Sequence, residues 1–268
     1  MAYFLIAAAI AAASVAPASP PVPAPAPAIP DAHPAIWVVN DADTVIYLFG
    51  TFHALDGKSA WFNDEVKTAF AASDELVLET VVPKDAQKAI PTQRVPNLAV
   101  TPSASFLAST RLAISAGRSH GMKVDNGADM VLRRAAEAAG KPVVGLESFD
   151  YQLNMFGRMP EQPAQFVNPA RNPHAMEDMA VVMSQMQAAW NRGDSRIFAS
   201  MLDQMRVGSP ASYKVMFTQR NSNWANWIAK RLETPGTVFV AVGTGHLAGP
   251  DSVQAKLAQL GVHSSRIN

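Results

Sequence analysis

Cysteine is absent from this 268-residue chain, and its charged side chains are few and balanced. Without thiols the chain cannot form disulfides, thiolate zinc sites, iron–sulfur clusters or a cysteine nucleophile, so any metal must be held by histidine, aspartate or glutamate. Basic and acidic residues each number 22, which gives a net charge of zero. Proteins that bind nucleic acid, or an anionic membrane surface through a polybasic segment, are usually basic. We therefore expect no nucleic-acid partner.

Charge is scarcest in the first 35 residues, where Asp31 is the only acidic or basic residue apart from a histidine. Residues 3–15 form an apolar run that is too short for the ~20 residues of a membrane span. Ala16-Pro17-Ala18 fits the small residues of a signal cleavage site. We interpret residues 1–18 as a secretory signal cleaved near Ala18; an uncleaved anchor or a disordered tail is the alternative. The chain is then expected to be periplasmic or secreted, with membrane contact only through an uncleaved signal.

Residues 19–34 are rich in proline that largely alternates with alanine. Such a segment favours extended polyproline II and cannot form a helix or a sheet ladder. We interpret it as a spacer, with a ligand for a proline-recognising partner as the alternative. The folded domain is then expected to cover residues 35–268.

Within residues 35–268, strand patterns lie at both ends and helical patterns fill most of the middle. Strands are predicted at residues 36–39, 44–49, 76–82, 143–146, 237–242 and 262–267. Helices are predicted at residues 61–72, with Ser59 as the cap, and at 127–139, 174–191, 194–204, 211–232 and 250–260. This arrangement predicts a single α/β or α+β domain.

One local sequence pattern occurs twice. A buried-type strand runs into Gly50-Thr51-Phe52-His53, and another runs into Gly243-Thr244-Gly245-His246. The glycine lets the chain turn sharply, and the histidine then projects from the carboxyl end of the strand, where α/β proteins build their sites. The alternative for each histidine is a satisfied structural residue.

Two glutamates accompany these histidines. Glu79 lies inside an apolar strand pattern, and Glu147 ends the next one. A carboxylate that faces the interior must be paired or metal-bound. Glu79 on a solvent-facing edge strand, or Glu147 as a helix cap, would be the plain structural alternatives. As a set, the four residues favour a metal or acid–base site.

Methionines recur at helical spacing in the middle of the chain. They are Met155, Met159, Met176, Met179, Met183 and Met186. Such a pattern is typical of adaptable core packing, and a groove for apolar peptides is the alternative.

The ordered motifs resemble the TraB/PrgY/GumN family, which includes the Tiki proteins, over about residues 34–268. The motifs are Pro34-Ala35-Ile36-Trp37, Tyr47-Leu48-Phe49-Gly50-Thr51-Phe52-His53, Leu76-Val77-Leu78-Glu79, Gly127-Ala128-Asp129, Gly140-Lys141-Pro142-Val143, Gly145-Leu146-Glu147 with Gln152, Trp190 with Gly193-Asp194, Arg220-Asn221, and Val242-Gly243-Thr244-Gly245-His246-Leu247-Ala248-Gly249. The chain is most similar to the bacterial GumN-like branch, in which an export signal before one such domain is usual.

The resemblance implies a mixed sheet flanked by helices, like that of erythromycin esterase-like and ChaN-like proteins. It also implies a metal-dependent hydrolase, with peptides or proteins as substrates. The matching positions for the metal are His53, Glu79 and His246, and Glu147 and Arg220 are further motif positions. The identity of a divalent ion is left open among Mn, Co, Zn and Fe.

The residue types suit that chemistry, although several roles stay open. Glu79 or Glu147 could act as the general base, and Arg220 could stabilise an oxyanion or bind a substrate carboxylate. For Arg220 the alternative is a salt bridge that holds a helix to the sheet. The competing functions are an envelope protein that binds haem, metal or another ligand without turnover, and an accessory protein for polysaccharide. The sequence gives no oligomeric state.

Overall fold

The computed structural model describes residues 30–83, 112–157 and 174–268. The predicted signal, residues 1–18, and most of the proline-rich segment lie outside these ranges and stay predictions. Among the residues described, none of the helices has the length and apolar character needed to cross a membrane.

Six strands of the described chain form one sheet. They are β1 (Ile36–Asn40), β2 (Thr44–Thr51), β3 (Glu75–Thr80), β4 (Val143–Glu147), β5 (Gly236–Gly243) and β6 (Ser265–Arg266). Their order in the sheet is β4-β3-β5-β2-β1-β6. The predicted strands β1 and β2 form an antiparallel hairpin, and the Asp41 carboxylate accepts hydrogen bonds from the backbone N–H groups of Asp43 and Thr44 in its turn.

The four strands β4, β3, β5 and β2 are parallel, whereas β1 and β6 pair antiparallel at one side. The register pairs Thr51 with Gly243 and Thr80 with Glu147. The carboxyl ends of these four strands therefore meet along one edge of the sheet, which is where parallel sheets place their binding sites.

Helices cover both faces of the sheet. They are α1 (Asp64–Ala72), α2 (Ala128–Ala138), α3 (Phe149–Gly157), α4 (Ala175–Asn191), α5 (Arg196–Gly208), α6 (Pro210–Tyr213), α7 (Gln219–Arg231) and α8 (Val253–Gln259). A π-helical turn, Lys214–Thr218, joins α6 to α7, where the sequence predicts one unbroken helix. Residues 112–119 are also helical.

Two helix starts differ from the predictions. The cap of α1 is Asn63 rather than Ser59, and its side chain accepts a hydrogen bond from Val66 N–H. The last helix starts at Val253 with Ser252 as its cap, so Pro250 precedes the helix instead of opening it. In both cases a side-chain oxygen that reaches a free N–H outweighs the apolar spacing used to place the boundary.

The core lies in two clusters, one on each face of the sheet. Leu76, Leu78 and Phe239 belong to the cluster that includes Phe49 and Trp190, whereas Val77 and Val240 belong to the cluster under α7 and α8. This alternation makes the central strands apolar on both faces, as expected for a covered parallel sheet. The predicted fold class, a single mixed α/β domain with helices around the sheet, is confirmed.

Candidate functional site

The five residues singled out in the sequence meet at the carboxyl edge of the parallel strands. Glu79 and Glu147 lie at the ends of β3 and β4, and His53 and His246 follow the ends of β2 and β5. Arg220 extends from the first turn of α7 and contacts Glu79, Glu147 and His246. The convergence therefore depends on the parallel strand order, which local sequence does not specify.

Arg220 is the centre of this cluster, and its side chain is only 3% exposed. Its Nη2 donates to Glu79 Oε2 at 2.7 Å and to Glu147 Oε2 at 2.9 Å. Its guanidinium also lies over the Trp224 ring, 4.6 Å from the centroid. Burial lowers the pKa of Arg220, but the two carboxylates raise it more, so the guanidinium stays charged.

Glu147 is saturated with donors. Its oxygens accept from Arg220 Nε at 2.8 and 3.0 Å, from Trp224 Nε1 at 3.1 Å and from Gln152 Nε2 at 3.3 Å. Its side chain is 7% exposed. The geometry gives Glu147 the contacts of a structural ion pair with Arg220, which is the alternative that the sequence left open for Arg220.

Glu79 is held more openly, between Arg220 and the backbone of β5. Its Oε1 accepts from Gly243 N–H at 2.7 Å, and it lies 3.7 Å from His246 Nε2. Burial raises the pKa of Glu79, but nearby positive charge lowers it far below its ordinary value: His246 when protonated, then Arg220 and His53. Because His246 stays neutral, as shown next, Arg220 is the permanent cation that keeps Glu79 ionised.

His246 is a buried, neutral imidazole of defined tautomer. Asn221 Nδ2 donates to the carbonyl of Asp251, so Asn221 Oδ1 must accept, and it lies 2.5 Å from His246 Nδ1. The proton is therefore on Nδ1, and Nε2 presents its lone pair towards Arg220 Nη1 at 3.2 Å. Burial, with the positive charge of Arg220, lowers the pKa of His246 to about 3.

His53 has the opposite environment. Its Nδ1 lies 3.2 Å from Asp129 Oδ1, and its side chain is 61% exposed. Desolvation by the neighbouring protein lowers the pKa of His53, but the charge and hydrogen bond of Asp129 and the charge of Glu79 raise it more, to about 9. Because the side chain is largely exposed, water screens the charge of Glu79. The direct contact with Asp129 is therefore what keeps the pKa of His53 above its ordinary value.

Gly127 allows Asp129 to reach His53. A Cβ on Gly127 would lie 2.3 Å from the His53 carbonyl oxygen, a distance that no side chain can occupy. The close approach lets Ala128 N–H donate to the Phe52 carbonyl at 3.0 Å, which attaches the start of α2 to the turn after β2. The Gly127-Ala128-Asp129 motif therefore positions the first histidine.

The two histidines and Glu79 face one small space beside Gly243. A Cβ on Gly243 would lie 3.1 Å from both Glu79 Oε1 and His53 Nε2, and 3.7 Å from His246 Cδ2. Both imidazoles use Nδ1 for a hydrogen bond to an oxygen, as metal-ligating histidines commonly do. His53 turns Nε2 to this space, whereas His246 turns Cδ2 to it and holds Nε2 3.7 Å from Glu79 Oε1. The donor types thus suit a divalent ion. No group of three or more histidine, aspartate or glutamate side chains in the described ranges has metal-binding spacing. Arg220 pairs with Glu79 and lies against His246, so a cation already occupies part of the cluster.

Two cavities meet at His53 and Glu79. One, of about 260 Å³, has a mixed lining of polar side chains such as Asp129, Arg133 and Gln152 and apolar ones such as Met130 and Phe156. The other, of about 350 Å³, is lined mainly by phenylalanine and methionine and reaches His246. Thr51 lines both, and within the described ranges its buried Oγ1 has no hydrogen-bond partner.

Four residues that complete the cluster were not assigned a role from sequence. Asp129, Gln152 and Asn221 stand in the quoted motifs without an assigned role, and Trp224 lies in the predicted helix at residues 211–232. Trp224 is buried, but it also donates to Glu147 and contacts the His246 ring at 4.4 Å. For two of them the available signal was spacing: Trp224 is four positions from Arg220 and three from Asn221 on one helix, so it lies beside both.

Comparison of the sequence with known proteins identifies related chains. The model of the TraB/PrgY/gumN family matches residues 35–110 and 87–266. A stretch of 137 residues is 26% identical to the uncharacterized protein YbaP of Escherichia coli (strain K12), and equally to the YbaP of Shigella flexneri.

These alignments cover 51% of this chain and 50% of each relative, so the chain spans about half the length of the curated relatives it matches. No solved structure matches the chain, and the likeness to the erythromycin esterase and ChaN folds stays a prediction. Because the family model covers most of the residues from 35 to 266, the chain belongs to the TraB/PrgY/gumN family.

Proposed function

We propose that this protein is an exported, metal-dependent hydrolase of peptide bonds, with His53, Glu79 and His246 as the metal donors. The observation that carries the proposal is that His53 Nε2 and Glu79 Oε1 face the same space beside Gly243, with the His246 ring at its edge and His246 Nε2 3.7 Å from Glu79 Oε1. Export rests on the signal-like residues 1–18, and peptide substrates rest on the family resemblance.

The donor set is compatible with a divalent ion held by two imidazoles and one carboxylate, with positions left for water and substrate. A bound ion of this kind supplies a Lewis acid and lowers the pKa of its water toward ~7. Mn, Co, Zn and Fe all accept such ligands. Peptide binding, orientation and proton handling would fall to the surrounding residues of the chain.

The contacts favour distinct roles for the two glutamates. Glu147 makes its hydrogen bonds to Arg220, Trp224 and Gln152, so a positioning role suits it better than proton transfer. Glu79 faces the shared space and is held ionised by Arg220, so it can accept a proton if it does not bind the ion. Arg220, with its charge fixed by both carboxylates, positions Glu79 and offers positive charge close to the space where an oxyanion would form.

The first experiment measures metal content and cleavage with the purified whole chain. Elemental analysis after exposure to Mn, Co, Zn or Fe should find about one ion per chain, and a peptide library should be cleaved in a chelator-sensitive way. His53→Ala and His246→Ala should lose both properties. His263→Ala, which changes an exposed histidine away from the site, is the control. Full cleavage by both site variants would contradict the proposal.

A second candidate function is ligand binding without turnover. The observation in its favour is the closed ion-pair network, in which the buried Arg220 cation lies 3.2 Å from His246 Nε2 and opposes a second cation there. This function predicts that no library peptide is cleaved with any of the four metals. An absorption spectrum of the purified protein would detect bound haem or iron.

A further inference from the structure

The cavity that reaches His246 has walls made largely of apolar side chains. We call it the apolar pocket, and it is lined by Phe156, Met186, Phe198, Met201, Met216 and Phe217. Its volume is about 350 Å³, at the small end of ligand pockets, which span ~300–1,000 Å³. It shares Thr51, His53, Glu79 and Phe156 with the cavity of about 260 Å³, so it opens directly onto the candidate site.

The π-helical turn Lys214–Thr218 contributes Met216 and Phe217 to this pocket. Such turns insert a residue into a helix and are frequent at functional sites. Here the turn lies directly before Arg220, and the Met216 carbonyl accepts from Arg220 Nη1 at 3.4 Å. One helix segment therefore supplies both the pocket wall and the central cation.

Gly245 makes room for that wall. A Cβ on Gly245 would lie 3.2 Å from Phe217 Cε1, and the Phe217 ring packs on His246 with 4.8 Å between the ring centroids. The first motif has Phe52 in the corresponding place, and Phe52 packs against Trp190 and Phe198 in the core. Because Gly245 has no side chain, the Phe217 ring of the π-helical turn can reach the edge of the site.

We propose that the apolar pocket is the specificity pocket of this site and accepts one large apolar side chain, such as that of Phe, Leu or Met, from a peptide substrate. This proposal rests on the proposed function, because only a hydrolase would treat the bound peptide as a substrate, and it names the class of that substrate. The pocket walls offer aromatic rings and flexible thioethers, which fit apolar groups of different shape. The polar end of the pocket, at His53, Glu79 and Arg220, would face the peptide backbone next to the bond that is cleaved.

A single side chain fits this pocket better than a long acyl chain. The pocket lining includes the buried charged pair of Arg220 and Glu79 beside the apolar side chains, so a long acyl chain that filled the pocket would lie against charge. An amino-acid residue changes from apolar to polar within the same short distance. The pocket therefore matches a side chain and its backbone in size and in polarity.

The test measures binding of amino-acid amides to the whole chain by ligand-observed NMR titration, without any cleavage. The probes are N-acetyl-phenylalanine amide, N-acetyl-leucine amide and N-acetyl-aspartate amide. Met201→Trp fills the mouth of the pocket and should weaken phenylalanine amide binding about tenfold, the loss expected when one large apolar group stays outside. Met176→Trp is the matched control, because Met176 and Met201 are both 40% exposed and Met176 lies outside the pocket lining.

Phe217→Ala changes the pocket in the other direction. It should shift preference from the phenylalanine amide to the larger N-acetyl-tryptophan amide, which a folding defect would not do. Equal affinity for the aspartate and phenylalanine amides would overturn the proposal. So would an unchanged affinity in Met201→Trp, or displacement of the phenylalanine amide by octanoate at lower concentration. Preferential binding without peptide cleavage would support the pocket while it contradicts the proposed hydrolase.

Discussion

The two Gly-Thr-x-His turns have the same residue types and each follows the end of a parallel strand, yet their histidines have opposite environments. His53 is largely exposed, contacts Asp129 and has its pKa raised to about 9. His246 is buried, contacts Asn221 and Arg220, and has its pKa lowered to about 3. At neutral pH one imidazole is therefore protonated and the other is not.

The difference arises from what packs on each turn rather than from the turn itself. Phe52 fills its own side of the first turn, and His53 is left at the surface. Gly245 leaves space on the second turn, and the Phe217 and Trp224 rings close over His246. The threonines also differ, since Thr244 Oγ1 donates to the Thr51 carbonyl at 2.9 Å. A repeated motif thus fixes where a side chain starts, whereas its neighbours fix its protonation.

This contrast has a consequence for metal uptake. His246 already presents a lone pair at Nε2, but His53 must release a proton before it can bind an ion. If the site takes a metal as proposed, binding should release about one proton from His53 at neutral pH, and the affinity should rise with pH up to about 9.

The largest effect on stability should come from Arg220→Met. The substitution leaves Glu79 and Glu147 buried without their shared cation, and breaking such a network costs about 3–5 kcal/mol. The free energy of unfolding, measured with urea, should fall by that amount. Arg206→Met is the control, since the Arg206–Asp203 pair is solvent-exposed and should contribute little. Equal losses in both variants would show that the network does not stabilise the fold.

The contrast between the histidines can be broken by Asn221→Asp. The new carboxylate gives His246 the type of partner that His53 has, so the pKa of His246 should rise, as followed by imidazole NMR. The Asp251 carbonyl loses its donor, which should cost about 1–3 kcal/mol. Asn154→Asp is the matched control, because Asn154 donates to a backbone carbonyl at an exposed position. An unchanged His246 pKa would contradict the assigned contact.

The histidines should also give opposite slopes in the pH dependence of stability of the metal-free chain. Between pH 6.5 and about 9 folded His53 keeps a proton that the unfolded chain loses, so its contribution falls as pH rises. Between about 3 and 6.5 unfolded His246 binds a proton that the folded residue does not, so stability falls as pH drops. Urea titrations across this range should show a maximum near neutrality.

Asp129→Asn tests the alkaline half of that profile, since it removes the charge that raises the pKa of His53. Stability should then fall less between pH 6.5 and 9. Glu177→Gln, which neutralises the carboxylate beside the exposed His174, is the control and should leave the slope unchanged. An Asp129→Asn profile that overlays the wild type would mean that another group is responsible.

The smallest effect on stability is expected for Gly243→Ala. The φ of Gly243 is −52°, which alanine adopts readily. Glycine is therefore needed at this position for the room it leaves and not for its backbone conformation. The added methyl would lie 3.1 Å from His53 Nε2 and Glu79 Oε1 and should weaken ion binding, as measured by competition with a chelating dye. Gly208→Ala is the control, because its Cβ would meet nothing within 4 Å. Equal ion binding in both variants would remove the space beside Gly243 from the proposal.

Much of the fold follows from local sequence, because the signals are local. The strands β1, β2 and β5 and the end of α2 near Gly140, whose φ is +67°, are confirmed. Helix starts were harder, since Asn63 and Ser252 act as caps through single hydrogen bonds. The π-helical turn has no sequence signal that hydrophobic spacing detects.

The residues of the candidate site could be proposed from the sequence, but the contacts between them could not. The repeated turns and the two strand-end glutamates identify His53, His246, Glu79 and Glu147. That Arg220 would join both glutamates, or that Asp129 rather than Asn221 would face His53, depends on contacts between residues more than 70 positions apart. Spacing along the chain contains no information about such pairs until the strand order is known.

The position of β5 also bears on how the chain folds. This strand, Gly236–Gly243, is among the last elements of the sequence, yet it lies between β2 and β3 at the centre of the sheet. Until it is added, β2 and β3 present two facing, unpaired edges, and the second histidine is missing from the site. Pairing across so long a separation is slow, because loop closure must precede the contacts that reward it. A chain stopped before residue 236 should therefore aggregate rather than form a partial domain.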